Sequence, residues 1–202
     1  MFPIGDINPT YRTPIVTRAL VAANIVAFLL QGLLTTPALL ALTFVPAELT
    51  ALLRGDGDLG VILDMFTAMF LHGSLAHLLG NLLFLWIFGD NVEAALGRGW
   101  FLPFYLACGL AATLTQYATD PTSTIPNLGA SGAISGVLGA YLVLFPGARV
   151  RVFVWPFSLF IGTLAMPAVI WIGLWFALKL ASGVRGLGGG AVGGVAFWAH
   201  IG

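Results

Sequence analysis

Few side chains in this sequence can do chemistry, and they are unevenly placed. His77 and Asn81 are four residues apart, one helical turn, so they share a face if their segment is helical, and His72 lies just upstream. Two aligned donors can tie one helix to a neighbour, or they can hold a developing oxyanion. Ser131 stands in Gly129-Ala130-Ser131-Gly132-Ala133, where the glycines leave a hydroxyl and the nearby N–H groups uncrowded. A serine at a helix entrance often does no more than cap it. A helix N-terminus also favours negative charge, however, and so suits an oxyanion. His200 is the one ionisable group in the last apolar stretch, and a neutral imidazole is the usual proton acceptor for a serine nucleophile. Asp64, Asp90 and Glu93 fall at the interfaces, so no buried acid is placed to orient His200. The expectation is a dyad of Ser131 and His200, with His77 and Asn81 stabilising the tetrahedral intermediate.

The elements that must position these residues follow from composition. Of 202 residues, 59% are hydrophobic and 8% charged, with eight basic and eight acidic side chains. A soluble domain carries about 25% charge, so sixteen ionised groups cannot cover this much apolar surface. A soluble enzyme, a nucleic-acid binder and a disordered chain are excluded, and a polytopic bundle of transmembrane helices remains. At ~20 residues per span, the length holds about six helices. Met1 to Arg12 lacks the pattern of a cleaved signal peptide. No soluble domain is expected ahead of the first span, so residues 1–202 are taken as one membrane domain.

The first span is expected over Pro14 to Leu34. Thr35 to Gly60 reads as an interfacial loop with one or two short amphipathic helices. Val61 to Phe88 follows, its true helix beginning near His72, and Gly89 to Gly99 reads as a polar turn. The third span is Trp100 to Tyr117. Ala118 to Ala130 is a loop, and the fourth helix runs from Ser131 to Phe145. That helix, at about 22 Å, is shorter than a hydrocarbon core of about 30 Å. Its start is therefore submerged, and the loop before it must dip into the membrane, which irregular backbone tolerates only inside protein or beside water. Arg149 and Arg151 read as the next turn, Leu159 to Leu180 as the fifth span and Ser182 to Gly190 as a linker. Ala191 to Gly202 is too short to cross and reads as a sixth helix cut before its end. Small residues form stripes on the fourth helix (Ser131, Ser135, Gly139, with Gly132 and Gly136 beside them) and on the sixth (Gly193, Ala196, His200). Such stripes let backbones approach and would bring His200 to Ser131. Arginine and lysine near the span ends favour an inside N-terminus.

With these segments in place, the chain resembles the bacterial rhomboid intramembrane serine proteases from about Arg18 to Gly202. The resemblance rests on His72-Gly-Ser-Leu-Ala-His77-Leu-Leu-Gly-Asn81, on Gly89-Asp-Asn-Val-Glu93 with Leu-Gly-Arg98, on Gly129-Ala-Ser131-Gly, and on Ala199-His200-Ile-Gly202. It implies a six-helix all-α core with a water-filled cavity open to the outside. It implies Ser131 as nucleophile, His200 as general base, and an oxyanion hole of His77, Asn81 and the Ser131 N–H. Substrates would be transmembrane helices, cut near the outer surface and entering beside the fifth helix. Glu93 and Arg98 would be structural ties in the inner loop. No cofactor is implied, and the partners are the lipid bilayer and transmembrane substrates, not nucleic acid. The location implied is a bacterial inner membrane with a cytoplasmic N-terminus. Where well-known members place an aromatic on the catalytic histidine, this chain has Ser135. Three other readings stay open: a catalytically inactive relative that binds transmembrane clients, a metal or haem site of His72, His77 and His200, and a transporter, for which no internal repeat speaks.

Overall fold

The computed structural model describes residues 2–10, 12–155 and 162–187. The apolar runs form helices, as their composition requires. They are α1 (Ile15–Gln31), the short α2 (Thr36–Leu40) and α3 (Pro46–Arg54), α4 (Gly60–Thr67) continued by a 3₁₀ turn (Ala68–Phe70), α5 (Leu75–Leu96), α6 (Arg98–Thr119), α7 (Ser131–Leu144) and α8 (Ala168–Leu187). One described helix, α5, is long and apolar enough to cross a membrane by itself, while α1, α7 and Ala168–Leu178 of α8 are shorter apolar helices. Their outer faces carry Leu29, Leu79, Val143 and Leu178, each more than half exposed.

Three strands join the helices at one end. β1 (Phe2–Asp6), β2 (Arg149–Phe153) and β3 (Leu164–Pro167) form an antiparallel sheet with β2 in the middle. Asp6 pairs with Val150 and Phe2 with Phe153, with a bulge between Pro3 and Gly5. Proline is tolerated on such an edge strand. Val150 and Val152 point into the core and are fully buried, while Arg149 and Arg151 face out. The sheet thus ties the segment before α1, the end of α7 and the start of α8 to the same end of the bundle.

The core runs through α5, α6, α7 and the first half of α8, with Leu85, Phe88, Phe101, Tyr105, Val137 and Tyr141 fully buried. Phe88 meets Tyr141 edge-on at 4.9 Å and stacks on Trp171 at 6.2 Å, which seats α8. A second cluster (Phe44, Leu49, Val61, Met65, Ala68) fills the opposite end under α3 and α4.

Several expectations need correction. Gly89 to Gly99 is not a turn, because α5 continues to Leu96. Its polar residues find partners there. The Glu93 carboxylate accepts from the Val16 N–H (3.0 Å), the Thr17 N–H (2.7 Å) and the Thr17 hydroxyl (2.8 Å). Glu93 is therefore buried, and it caps α1, whose own N-cap Pro14 has no side chain to do so. Arg98 lies 4.0 Å from Glu93 and donates to the Thr13 carbonyl at 3.0 Å, so both residues are structural ties. Arg149 and Arg151 lie on β2, not in a turn. The fifth long helix starts at Ala168, because Leu164–Pro167 pairs with β2. Gly136 is taken by α6, since a Cβ there would collide with Cys108. Cys108 thus packs at the α6–α7 seam. The linker and sixth helix, with His200, lie outside the described residues.

Candidate active site

The polar residues singled out in the sequence gather at the end of the bundle opposite the sheet. His77 and Asn81 lie on the first turns of α5, on one face. Ser74 caps that helix, its hydroxyl accepting from the His77 N–H at 3.1 Å. Ser131 is the first residue of α7, preceded by Ala130 at the cap position, and is 7% exposed. Its side chain is not used as a helix cap. Ser135, one turn on, donates its hydroxyl to the Ser131 carbonyl at 2.8 Å.

Gly129 joins the two helices. Its φ of +123° is one that side-chain-bearing residues rarely adopt, and its N–H donates to the Ala68 carbonyl at 2.8 Å. A Cβ at this position would lie 2.7 Å from His77 Cε1 and 3.7 Å from Asn81 Nδ2. The His77 ring thus rests on the glycine backbone two residues before Ser131, and Asn81 faces the same point. The irregular segment leading into α7 is paired rather than left bare. Asn127 and Phe44 exchange backbone hydrogen bonds at 2.7 and 3.2 Å, and the Ala47 N–H donates to the Ser123 carbonyl at 3.0 Å.

His72 belongs to the same group. It lies in the extended segment before α5 and is 1% exposed. Its Nδ1 is 3.2 Å from the Phe70 carbonyl, its Nε2 is 2.9 Å from Asn81 Nδ2, and its ring meets that of His77 edge-on at 5.1 Å. The Asn81 amide nitrogen can only donate, so Nε2 presents a lone pair and the ring is neutral. A carbonyl can only accept, so Nδ1 carries the proton and Nε2 accepts from the Asn81 amide. Both ring nitrogens are then engaged by protein groups, which leaves His72 without a lone pair for a metal.

Sequence reasoning missed Gln31. The last residue of α1 brackets the His72 backbone, its amide N–H donating to the His72 carbonyl (2.6 Å) and its oxygen accepting from the His72 N–H (3.1 Å). An amide near the end of the apolar run Ile25 to Leu34 was the available signal. The structure therefore brings His72, His77, Asn81 and Ser131 to one end of the bundle, and His200 is not among the described residues.

Comparison with known proteins bears on the same segment. Residues 60–202 match the family described as Rhomboid domain. A stretch of 110 residues is 34% identical to the presenilin-associated rhomboid-like protein A, mitochondrial, of Danio rerio, covering 54% of this chain and 29% of that protein. A stretch of 78 residues is 44% identical to the rhomboid protease GluP of Bacillus subtilis, covering 39% and 15%. Over 98 residues the chain is 35% identical to the rhomboid protein 1, mitochondrial, of Saccharomyces cerevisiae, covering 46% and 28%. The matched stretches thus span less than a third of the length of these relatives.

Proposed function

This chain belongs to the rhomboid family of integral membrane proteins, and on that premise we propose that it is an intramembrane serine endopeptidase using Ser131 and His200. The observation that carries the reading is the convergence of His77 and Asn81 on Gly129, two residues before Ser131 at the start of α7. In this reading Ser131 Oγ attacks the scissile carbonyl and His200 takes its proton. The charge formed on the carbonyl oxygen is met by His77, by Asn81 and by the Ser131 N–H, which lies in the unpaired first turn of α7. His200 then returns the proton to the leaving amine as the peptide bond breaks, and a water deprotonated by His200 hydrolyses the resulting Ser131 ester, which frees the serine. No cofactor enters this scheme.

The substrate is a transmembrane segment, cleaved at the end of the bundle that carries the site. Scission needs water at depth, and a polar cluster retains it where an apolar cavity stays dry. The substrate helix must also give up internal hydrogen bonds, which is costly in lipid. Cleavage close to the membrane surface follows. Among the described residues, Leu174, Phe176 and Leu178 of α8 are exposed, which supports entry beside that helix. In this proposal the N-terminus and the sheet lie on the cytoplasmic side of a bacterial inner membrane.

The test uses the complete protein in detergent with a fluorophosphonate probe and a single-span model substrate. Labelling and cleavage in the wild type, both lost in Ser131→Ala and cleavage lost in His200→Ala with the fold retained, are the expected results. Absence of Ser131-dependent labelling would overturn the protease reading in favour of an inactive relative that binds transmembrane clients. The names of the relatives allow for one, since they include rhomboid-like proteins as well as proteases.

A further inference from the structure

We infer that His72 is a positioning residue: clamped through its backbone by Gln31, it takes one N–H of the Asn81 amide and so leaves the other on the side of Gly129, at the entrance to α7. The inference rests on the protease reading above and adds a residue that the reading does not use.

The argument starts from a free amide. An asparagine side chain presents two donors and an oxygen that exchange places on a half-turn about the last bond. An oxyanion site works only with the donors forward, because the amide oxygen would repel the charge it should stabilise. Nothing in Asn81 itself selects one orientation. His72 does, since the Phe70 carbonyl takes the proton-bearing Nδ1 and leaves Nε2 as an acceptor 2.9 Å from Asn81 Nδ2. One N–H of the amide is thereby spent on His72, and the nitrogen is held on the side facing Gly129, 3.7 Å from where a Cβ would stand. The reversed amide would set an oxygen lone pair against the Nε2 lone pair.

A ring can orient a neighbour only if it is itself held. The two Gln31 hydrogen bonds fix the His72 peptide from α1, in a segment that has no helical or strand pairing of its own. The edge-on contact with His77 leaves the ring little room to turn. A chain of hydrogen bonds therefore runs from the end of α1, through the His72 backbone and ring, to Asn81.

The experiment measures cleavage and fluorophosphonate labelling by the full protein carrying His72→Phe, His72→Gln, Asn81→Ala and the double change His72→Phe with Asn81→Ala. The phenylalanine substitution keeps a ring in place without an acceptor, and the glutamine substitution restores one. His72→Phe is expected to lower kcat by roughly the factor seen for Asn81→Ala, of order 10²-fold, with KM unchanged. His72→Gln should recover part of the loss, and the double variant should be no slower than Asn81→Ala alone. Full additivity of the two losses, or wild-type kcat in His72→Phe, overturns the inference. If His72→Phe fails to fold, ¹⁵N-histidine spectra of the wild type decide. The Nδ1–H tautomer at His72 supports the inference, and the Nε2–H tautomer overturns it. A wild type without Ser131-dependent labelling fails at the protease reading itself, which takes the inference down with it; normal labelling with additive losses removes the inference and leaves the protease.

Discussion

At the scale of single residues, the site depends on groups that do not react. Gly129 has no side chain to contribute, yet it sets the approach of the His77 ring. Gly129→Ala should lower thermal stability in detergent by an amount equivalent to about 1–3 kcal/mol of backbone strain. It should also nearly abolish cleavage, because its Cβ would displace His77. Retention of both properties would show that the ring does not depend on this close approach. Asn81→Ala is expected to weaken cleavage and leave Ser131 labelling detectable, since one lost oxyanion donor costs about 2.7–4 kcal/mol in soluble enzymes. Failure of that variant to accumulate in the membrane would mark Asn81 as structural.

At the scale of elements, α1 is a helix capped from elsewhere. Glu93→Ala leaves two backbone N–H groups and a hydroxyl without their acceptor, and should cost about 2–3 kcal/mol, read as a lower unfolding temperature. Glu93→Gln, with one oxygen left to accept, should fall between the two. This cap also shows where sequence reading stops. The apolar runs announced α1, α6 and α7 closely, because burial or lipid contact needs no distant partner to be read. The i, i+4 spacing of His77 and Asn81 likewise placed both on one face. The continuation of α5 past Phe88 was hidden, because Asp90, Asn91 and Glu93 look like a turn until Asp6, Val16 and Thr17 are brought beside them. The alternation Arg149-Val-Arg-Val was visible, but one partner strand lies near the start of the chain and the other, Leu164–Pro167, was hidden inside the apolar run read as the fifth span. Gln31 was legible as an oddity and not as a clamp, because its partner is a backbone 41 residues away.

At the scale of the whole molecule, the two ends of the bundle are built differently. One carries the candidate catalytic cluster and the other a sheet locked to the helices through Asp6, which accepts from Tyr141 (2.7 Å) and Asn91 (3.0 Å). Burial, partly offset by the Tyr141 hydrogen bond, raises the Asp6 carboxyl above its ordinary 3.8. A raised folded value means that the group contributes stability fully below its unfolded pKa and that this is lost as pH rises through the folded one. The unfolding temperature should therefore carry a component that declines upward from about pH 4, and Asp6→Asn should remove that component; an unchanged profile in the variant would assign the decline elsewhere. The strand order also has a temporal side. β1 leaves the ribosome before every described helix, whereas β2 emerges only after α7. At ~5–20 residues per second, the first strand waits on the order of ten seconds for its hydrogen-bonding partner. During that interval α1, α5, α6 and α7 have all been made, so closure of the sheet is a late event that seals an assembly begun without it.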